Sequence, residues 1–160
     1  MVKTNYSYTN SEVSADGDVL TASFNAGSIE QNVIAGESFI IDGRRLQGQS
    51  DHVVNAQFGY DNERAGSSFR VLFNYASDRI RTTESLVANQ PAIIEQPPLS
   101  LDLTYSKDFN FKGGLYTLGV SAKNLTGANY SARQSGTENT IVVDRFDRGQ
   151  SLSVSLKRSF

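Results

Sequence analysis

His52 is the only histidine in the chain, and Asp51 beside it offers a carboxylate that could orient an imidazole. A general base needs that kind of pairing, but it also needs a proton to take from a nucleophile within hydrogen-bond reach. There is no Cys and no second imidazole, so no thiolate metal site and no Cys–His pair can be assembled. Asp102 and Asp108 share the wet face of one stretch but lie six residues apart, about 20 Å along an extended strand. That is too far for two carboxylates to work on one bond. Arg70, Lys123 and Lys157 fall on the same kind of face and are expected to pair with those acids across strands. Arg44 and Arg45 form a basic pair in a loop. The Gly-rich pieces have neither GxGxxG nor Walker spacing, and no helix follows them. No catalytic, cofactor-binding or metal residue is assigned, and the chain is expected not to be an enzyme.

The elements that carry these residues are strands. Leu152, Val154, Leu156 and Phe160 alternate with Ser151, Ser153, Ser155, Lys157 and Ser159, a period of two that marks one apolar and one wet surface. His52, Val54, Ala56, Phe58 and Tyr60 form a second such face; Phe69, Val71, Phe73 and Tyr75 form a third. Leu99, Leu101, Leu103, Tyr105 and Phe109 give the clearest alternation, and Tyr116, Leu118, Val120 and Ala122 follow. Val2, Thr4, Tyr6 and Tyr8 alternate more weakly. About six strands of roughly 10 residues result, the length that a tilted strand needs to cross a bilayer.

Their connections alternate in length. Residues 61–66 and 110–114 are short turns, whereas 14–49, 81–98 and 126–148 are long, with Val19–Phe24 and Ser38–Ile41 as candidate short strands in the first. Short turns on one side and long loops on the other are the pattern of outer-membrane barrels. Threaded this way, Phe58, Tyr60, Phe69, Phe109, Tyr116 and Phe160 all fall at the short-turn end and are expected to form one aromatic belt. The final Phe160 supports the same reading: its ring suits a headgroup region, with the carboxylate in water.

Composition agrees with one domain spanning 1–160. The 160 residues are 38% hydrophobic and 20% charged, with net charge −2, and show no bias towards nucleic acid. Mean hydropathy is −0.37, and no apolar run is long enough for a transmembrane helix. Met1–Thr4 leads into strand-like sequence with no apolar signal core, so an outer-membrane chain would be expected to lack its front.

The segments NYSYTNSEV, GRRLQGQSDHVVNAQFGYDNE, IEQPPLSLDLTYSKDF, AKNLTGANY and DRGQSLSVSLKRSF resemble the C-terminal barrel end of TonB-dependent outer-membrane receptors. The resemblance implies an all-β antiparallel meander, the last six strands of a transmembrane β-barrel of roughly 22 strands with a plug in its lumen. It implies uptake of a siderophore, vitamin or carbohydrate across the outer membrane of a Gram-negative cell. The expected partners are outer-membrane lipid, the N-terminal barrel and plug, TonB acting through that plug, and the barrel-assembly machinery. Neither the plug nor the TonB-contacting segment is in this sequence. The last strand resembles the family's assembly signal: Ser153 and Phe160 match it, whereas Ser155 stands where Gly is usual and Arg158 where an apolar residue is usual. Two other architectures fit the alternation. One is a complete eight-stranded outer-membrane barrel of structural or adhesive role, closed by pairing of its first and last strands. The other is a soluble β-sandwich binding module whose apolar face packs inward.

Overall fold

The computed structural model describes residues 1–25, 27–86, 88–135 and 139–159. The described residues are all-β and antiparallel, with a single 3-10 turn among them at Gly36–Ser38. Among the described residues no helix is long and apolar enough to cross a membrane.

Six strands form the main sheet: β1 (Val2–Tyr8), β4 (His52–Asn62), β5 (Ser67–Ala76), β8 (Ser100–Phe111), β9 (Gly114–Lys123) and β12 (Ser151–Ser159). They lie in sequence order, each antiparallel to the next, with β1 and β12 at opposite edges. The meander expected from the alternation is therefore present. Six further strands occupy the stretches expected to be long connections. β2 (Asp18–Asn25) and β3 (Ser28–Ala35) form a separate hairpin, while β6 (Arg79–Thr82), β7 (Ile93–Gln96), β10 (Tyr130–Ser135) and β11 (Thr140–Phe146) form a four-stranded sheet.

That second sheet is built from extensions of the first. β6 continues β5 after a break at Ser77–Asp78, and β7 leads into β8 across Pro97-Pro98, where two prolines remove ladder donors. β10 follows β9 past Asn124, which takes a positive φ of 55°, and β11 leads into β12 past Gly149, at φ 66°. Its order, β6-β7-β10-β11, repeats β5-β8-β9-β12. Residues 67–82 and 140–159 each form two strands that belong to two different sheets. Ser38–Ile41 is not a strand: after the 3-10 turn the chain bends through loop residues. Val19–Phe24 lies within β2, as expected.

All the long excursions leave one end of the main sheet, and the turns at 63–66 and 112–113 close the other. The first and last strands do not pair and no sheet is closed, so the eight-stranded barrel sealed by this chain alone is not formed.

The sheet lacks a conventional core. Among the described residues the buried apolar side chains are Ala15, Ile80 and Ala132, and no large side chain is fully buried. Cross-strand partners fix which residues share a face: Phe58, Val71, Leu103, Ala122 and Leu152 form one row, and Tyr60, Phe69, Tyr105, Val120 and Val154 the next. The apolar face is thus continuous across five strands. It is uncovered, with Leu152 74% and Leu156 64% exposed. A sandwich would bury this face against a second sheet, and the described residues place none over it.

Candidate functional site

The two faces of the main sheet differ in chemistry because the ladder registers keep every strand in phase. Opposite the apolar face lie Asn55, Gln57, Arg70, Asn74, Thr104, Ser121, Ser153 and Lys157. Hydrogen bonds run across this wet surface: the Ser68 and Ser106 hydroxyls meet at 2.8 Å, and Thr117 donates to Asp108 at 2.7 Å. Arg70 pairs with Asp61 at 2.9 Å rather than with Asp102 or Asp108. Asp102 instead accepts the backbone N–H of Asn124 at 2.9 Å, pinning the turn where β9 ends. The expected pairing of Arg70 with those two acids is corrected: Asp61 sits one strand away in β4, at the same end of the sheet.

The residues expected in one aromatic belt fall into two clusters beside the short turns. Tyr60 opposes Phe69, and the Phe58 ring meets Phe69 edge-on with centroids 6.4 Å apart. Phe109 opposes Tyr116 and stacks on it at 5.8 Å. Phe111 adds an edge contact to Tyr116 at 6.2 Å, and Tyr105 opposes Phe69; neither was expected in the belt. Phe109 lies four residues beyond Tyr105, about 13 Å along β8, so the two clusters occupy different ladder rows. Phe160 lies outside the described residues. Ser153 stands on the wet face opposite Ser121. Two cations stand on the apolar face towards its short-turn end: Lys107 shares a ladder row with Leu118 and Leu156, and Arg158 opposes Tyr116. Lys107 reaches the Ala65 carbonyl in the turn, and the Arg158 guanidinium lies 5.7 Å from the centre of the Tyr116 ring.

A second aromatic group stands at the opposite end of the same face. His52 is hydrogen-bonded through Nδ1 to the Tyr6 hydroxyl at 2.9 Å, with the Tyr8 ring 5.1 Å away. Tyr75 opposes Val54, one row in. His52 is therefore held by two tyrosines. The sequence shows this group only once β1 is placed beside β4, because Tyr6 and Tyr8 are distant from Tyr75 in the chain.

Beyond that end, one polar network crosses all four strands of the smaller sheet. Arg79 donates to Glu95 Oε1 at 2.5 Å, and the Tyr130 hydroxyl donates to Glu95 Oε2 at 2.5 Å. Arg81 donates to Tyr130 at 3.3 Å and to Asp144 at 3.0 Å. Burial alone would raise the Glu95 pKa, but the Tyr130 hydroxyl and the Arg79 guanidinium outweigh it and hold the carboxyl below the usual carboxylate range. Tyr130 is pushed up, first by burial and then by Glu95. Arg81 is raised chiefly by its hydrogen bond to Asp144. A Phe146 ring stacked 4.7 Å from Tyr130 covers the network on one side. Arg44 and Glu84 form a further pair, 3.4 Å apart, that ties the first excursion to the second. Among the described residues no three His, Asp or Glu side chains gather as a metal site.

Comparisons with protein-family models, with curated proteins and with solved structures returned no match for this chain.

Proposed function

We propose that this chain is the C-terminal part of the barrel of a TonB-dependent outer-membrane receptor, a transport protein rather than an enzyme. The observation that carries the reading is the uncovered apolar face bounded by aromatic side chains at both ends. From His52 to Tyr60 is eight residues, about 26 Å along the strand, which at the 35–45° tilt of barrel strands covers about 19–22 Å of the apolar band of about 25 Å on outer-membrane barrels. Tilt also accounts for the offset between the two short-turn clusters. The two clusters, on β4–β5 and β8–β9, are centred two strand spacings of about 4.8 Å apart, so strands inclined near 45° displace a horizontal level between them by about 10 Å along the strand. That takes up most of the offset of about 13 Å between the ladder rows.

In this reading the apolar face meets hydrocarbon, the wet face lines an aqueous interior, and the smaller sheet and the β2–β3 hairpin rise outside the cell. Each buried-in-lipid backbone group needs an internal partner, which the ladders supply everywhere except at the two edges. The N-terminal strands of a receptor barrel would cover those edges, and its plug would carry the contact with TonB. The ligand, a siderophore, vitamin or carbohydrate, would be met first by the outer hairpins.

The chain has no Trp, so a single one can be introduced as a reporter. Val120→Trp and Ser121→Trp place it on opposite faces of β9, and brominated lipid quenches indole only where the two touch. Quenching of the first and not the second is expected when the chain is folded into vesicles. Equal quenching, or a monodisperse monomer without lipid or detergent, overturns the membrane reading. A plug-coding region directly upstream in the genomic DNA tests the receptor assignment separately.

A further inference from the structure

The β2–β3 hairpin carries a surface that the receptor reading does not explain. Its register sets Leu20 opposite Val33 and Phe24 opposite Ile29, with Ala22 opposite Gln31 between them. One face is therefore almost wholly apolar, and it is open: Leu20 is 72%, Phe24 83%, Ile29 62% and Val33 64% exposed. An exposed contiguous patch of this kind marks an interaction site. Neither strand pairs with anything but the other, so an edge is also free to accept an extended chain.

The charge around this face identifies what fits it. Between Lys3 and Arg44 there are six carboxylates (Glu12, Asp16, Asp18, Glu30, Glu37, Asp42) and no Lys, Arg or His. Asp18 stands on the apolar face itself, opposite Ala35, one step beyond the Leu20–Val33 pair. With Asp16 and Glu37 it lines a cleft of about 230 Å³ at the foot of the hairpin. The ion pairs of the described residues all lie elsewhere. The three carboxylates are not grouped as metal ligands.

We propose that this hairpin docks an extended cationic, amphipathic peptide segment. A Lys or Arg of the peptide enters the acidic cleft, and apolar side chains at alternate positions lie along Leu20, Phe24, Ile29 and Val33. Strand addition at a free edge gives that spacing, because side chains two apart face the same way. An anionic lipid surface is disfavoured by the same carboxylates, and a second copy would bring two uncompensated acidic segments together. The proposal uses the hairpin's own surface and does not rest on the receptor reading.

The test uses the full chain in a non-ionic amphipol and a fluorescent decapeptide with Leu or Val at alternate positions, Ser between them and a Lys or Arg at the last position of the Leu/Val face, followed by anisotropy. Controls are the counterpart with Glu in place of the Lys or Arg and a block-ordered peptide of the same composition. Binding of the alternating cationic peptide alone is expected, weakening as salt rises. The triple variant Asp16→Asn, Asp18→Asn, Glu37→Gln should lose about tenfold or more in affinity and most of the salt dependence. Leu20→Ser with Phe24→Ser should lose about tenfold through the apolar contacts. Glu30→Gln, on the opposite face of the hairpin, should bind as the parent does. Far-UV circular dichroism of each variant checks that the main sheet is intact. Equal binding of the acidic peptide, or affinity unchanged in both the charge and the face variants, overturns the proposal. So does self-association that Phe24→Ser abolishes, because the occupant is then a second copy.

Discussion

Val120 offers the sharpest separation between a sheet facing hydrocarbon and one packed on other protein. It sits in β9, an interior strand, between Tyr105 of β8 and Val154 of β12. Tyr116 and Asn124 lie four residues to either side, about 13 Å along the strand, so Val120 is near the middle of the apolar band. Arg at mid-bilayer on a lipid-facing position costs about 2–4 kcal/mol, against about 0–1 near the interface. Val120→Arg should therefore lower the folding equilibrium constant by about 30- to 700-fold, at 1.4 kcal/mol per factor of ten. Arg158→Val, at the rim beside Tyr116, should move it by less than about 1 kcal/mol. Arg alone does not decide the matter, since a packed core would also reject it. Val120→Phe does decide: hydrocarbon accepts a larger ring at no packing cost, whereas a filled interior loses about 1–3 kcal/mol to overpacking. The assay is a urea titration of folding into short-chain lipid vesicles, followed by far-UV circular dichroism. The expected order is Val120→Arg strongly destabilised, with Val120→Phe and Ser121→Arg close to the parent. Destabilisation of Val120→Phe by more than about 1 kcal/mol, with Ser121→Arg equally harmful, would refute the reasoning.

Other expectations concern single contacts. Gly36→Ala should loosen the foot of the β2–β3 hairpin, because a Cβ there would lie 2.7 Å from the Ala15 carbonyl oxygen and 2.8 Å from that of Gly17. Faster amide exchange at Gly36, whose N–H bonds to Gly17, is the readout. Gly119→Ala should be mild, within about 1 kcal/mol, since its 2.6 Å neighbour is the rotatable Ser155 hydroxyl. A depressed Glu95 pKa stabilises the smaller sheet fully above the unfolded carboxyl value, and this is lost as pH falls through the folded value. Exchange along β7–β10 should thus accelerate on the acid side in the parent, while Glu95→Gln should be faster at neutral pH and flatter with pH. Tyr6→Phe removes a solvent-exposed hydrogen bond to His52 and should cost no more than about 1 kcal/mol, measured by the same urea titration.

The period-two alternation was sufficient to find the six strands of the main sheet, because each keeps one face apolar for its whole length. It did not find β6, β7, β10 and β11, which are only four to seven residues long, too short for a period of two to stand out. Glu95 and Asp144 fall in stretches expected to be long connections, and only the four strands bring them to Arg79 and Arg81. Alternation also reports a face without its neighbours, so the pairing of Arg70 with Asp61 and the grouping of Tyr6, Tyr8, His52 and Tyr75 depended on register. Ser38–Ile41 looked extended because Phe and Ile favour strands, but a 3-10 turn starting at Gly36 takes the chain elsewhere. The glycine is needed there by the close approach of Ala15 and Gly17, a constraint that involves residues 19 and more positions earlier.

The main sheet also restricts any completion of itself. Its strands reverse direction at every step, so β1 and β12 point in opposite senses along their open sides. A ring in which every neighbour is antiparallel must contain an even total, and six are already supplied. Whatever joins the two open sides must therefore bring an even number of strands; an odd number would force one parallel seam.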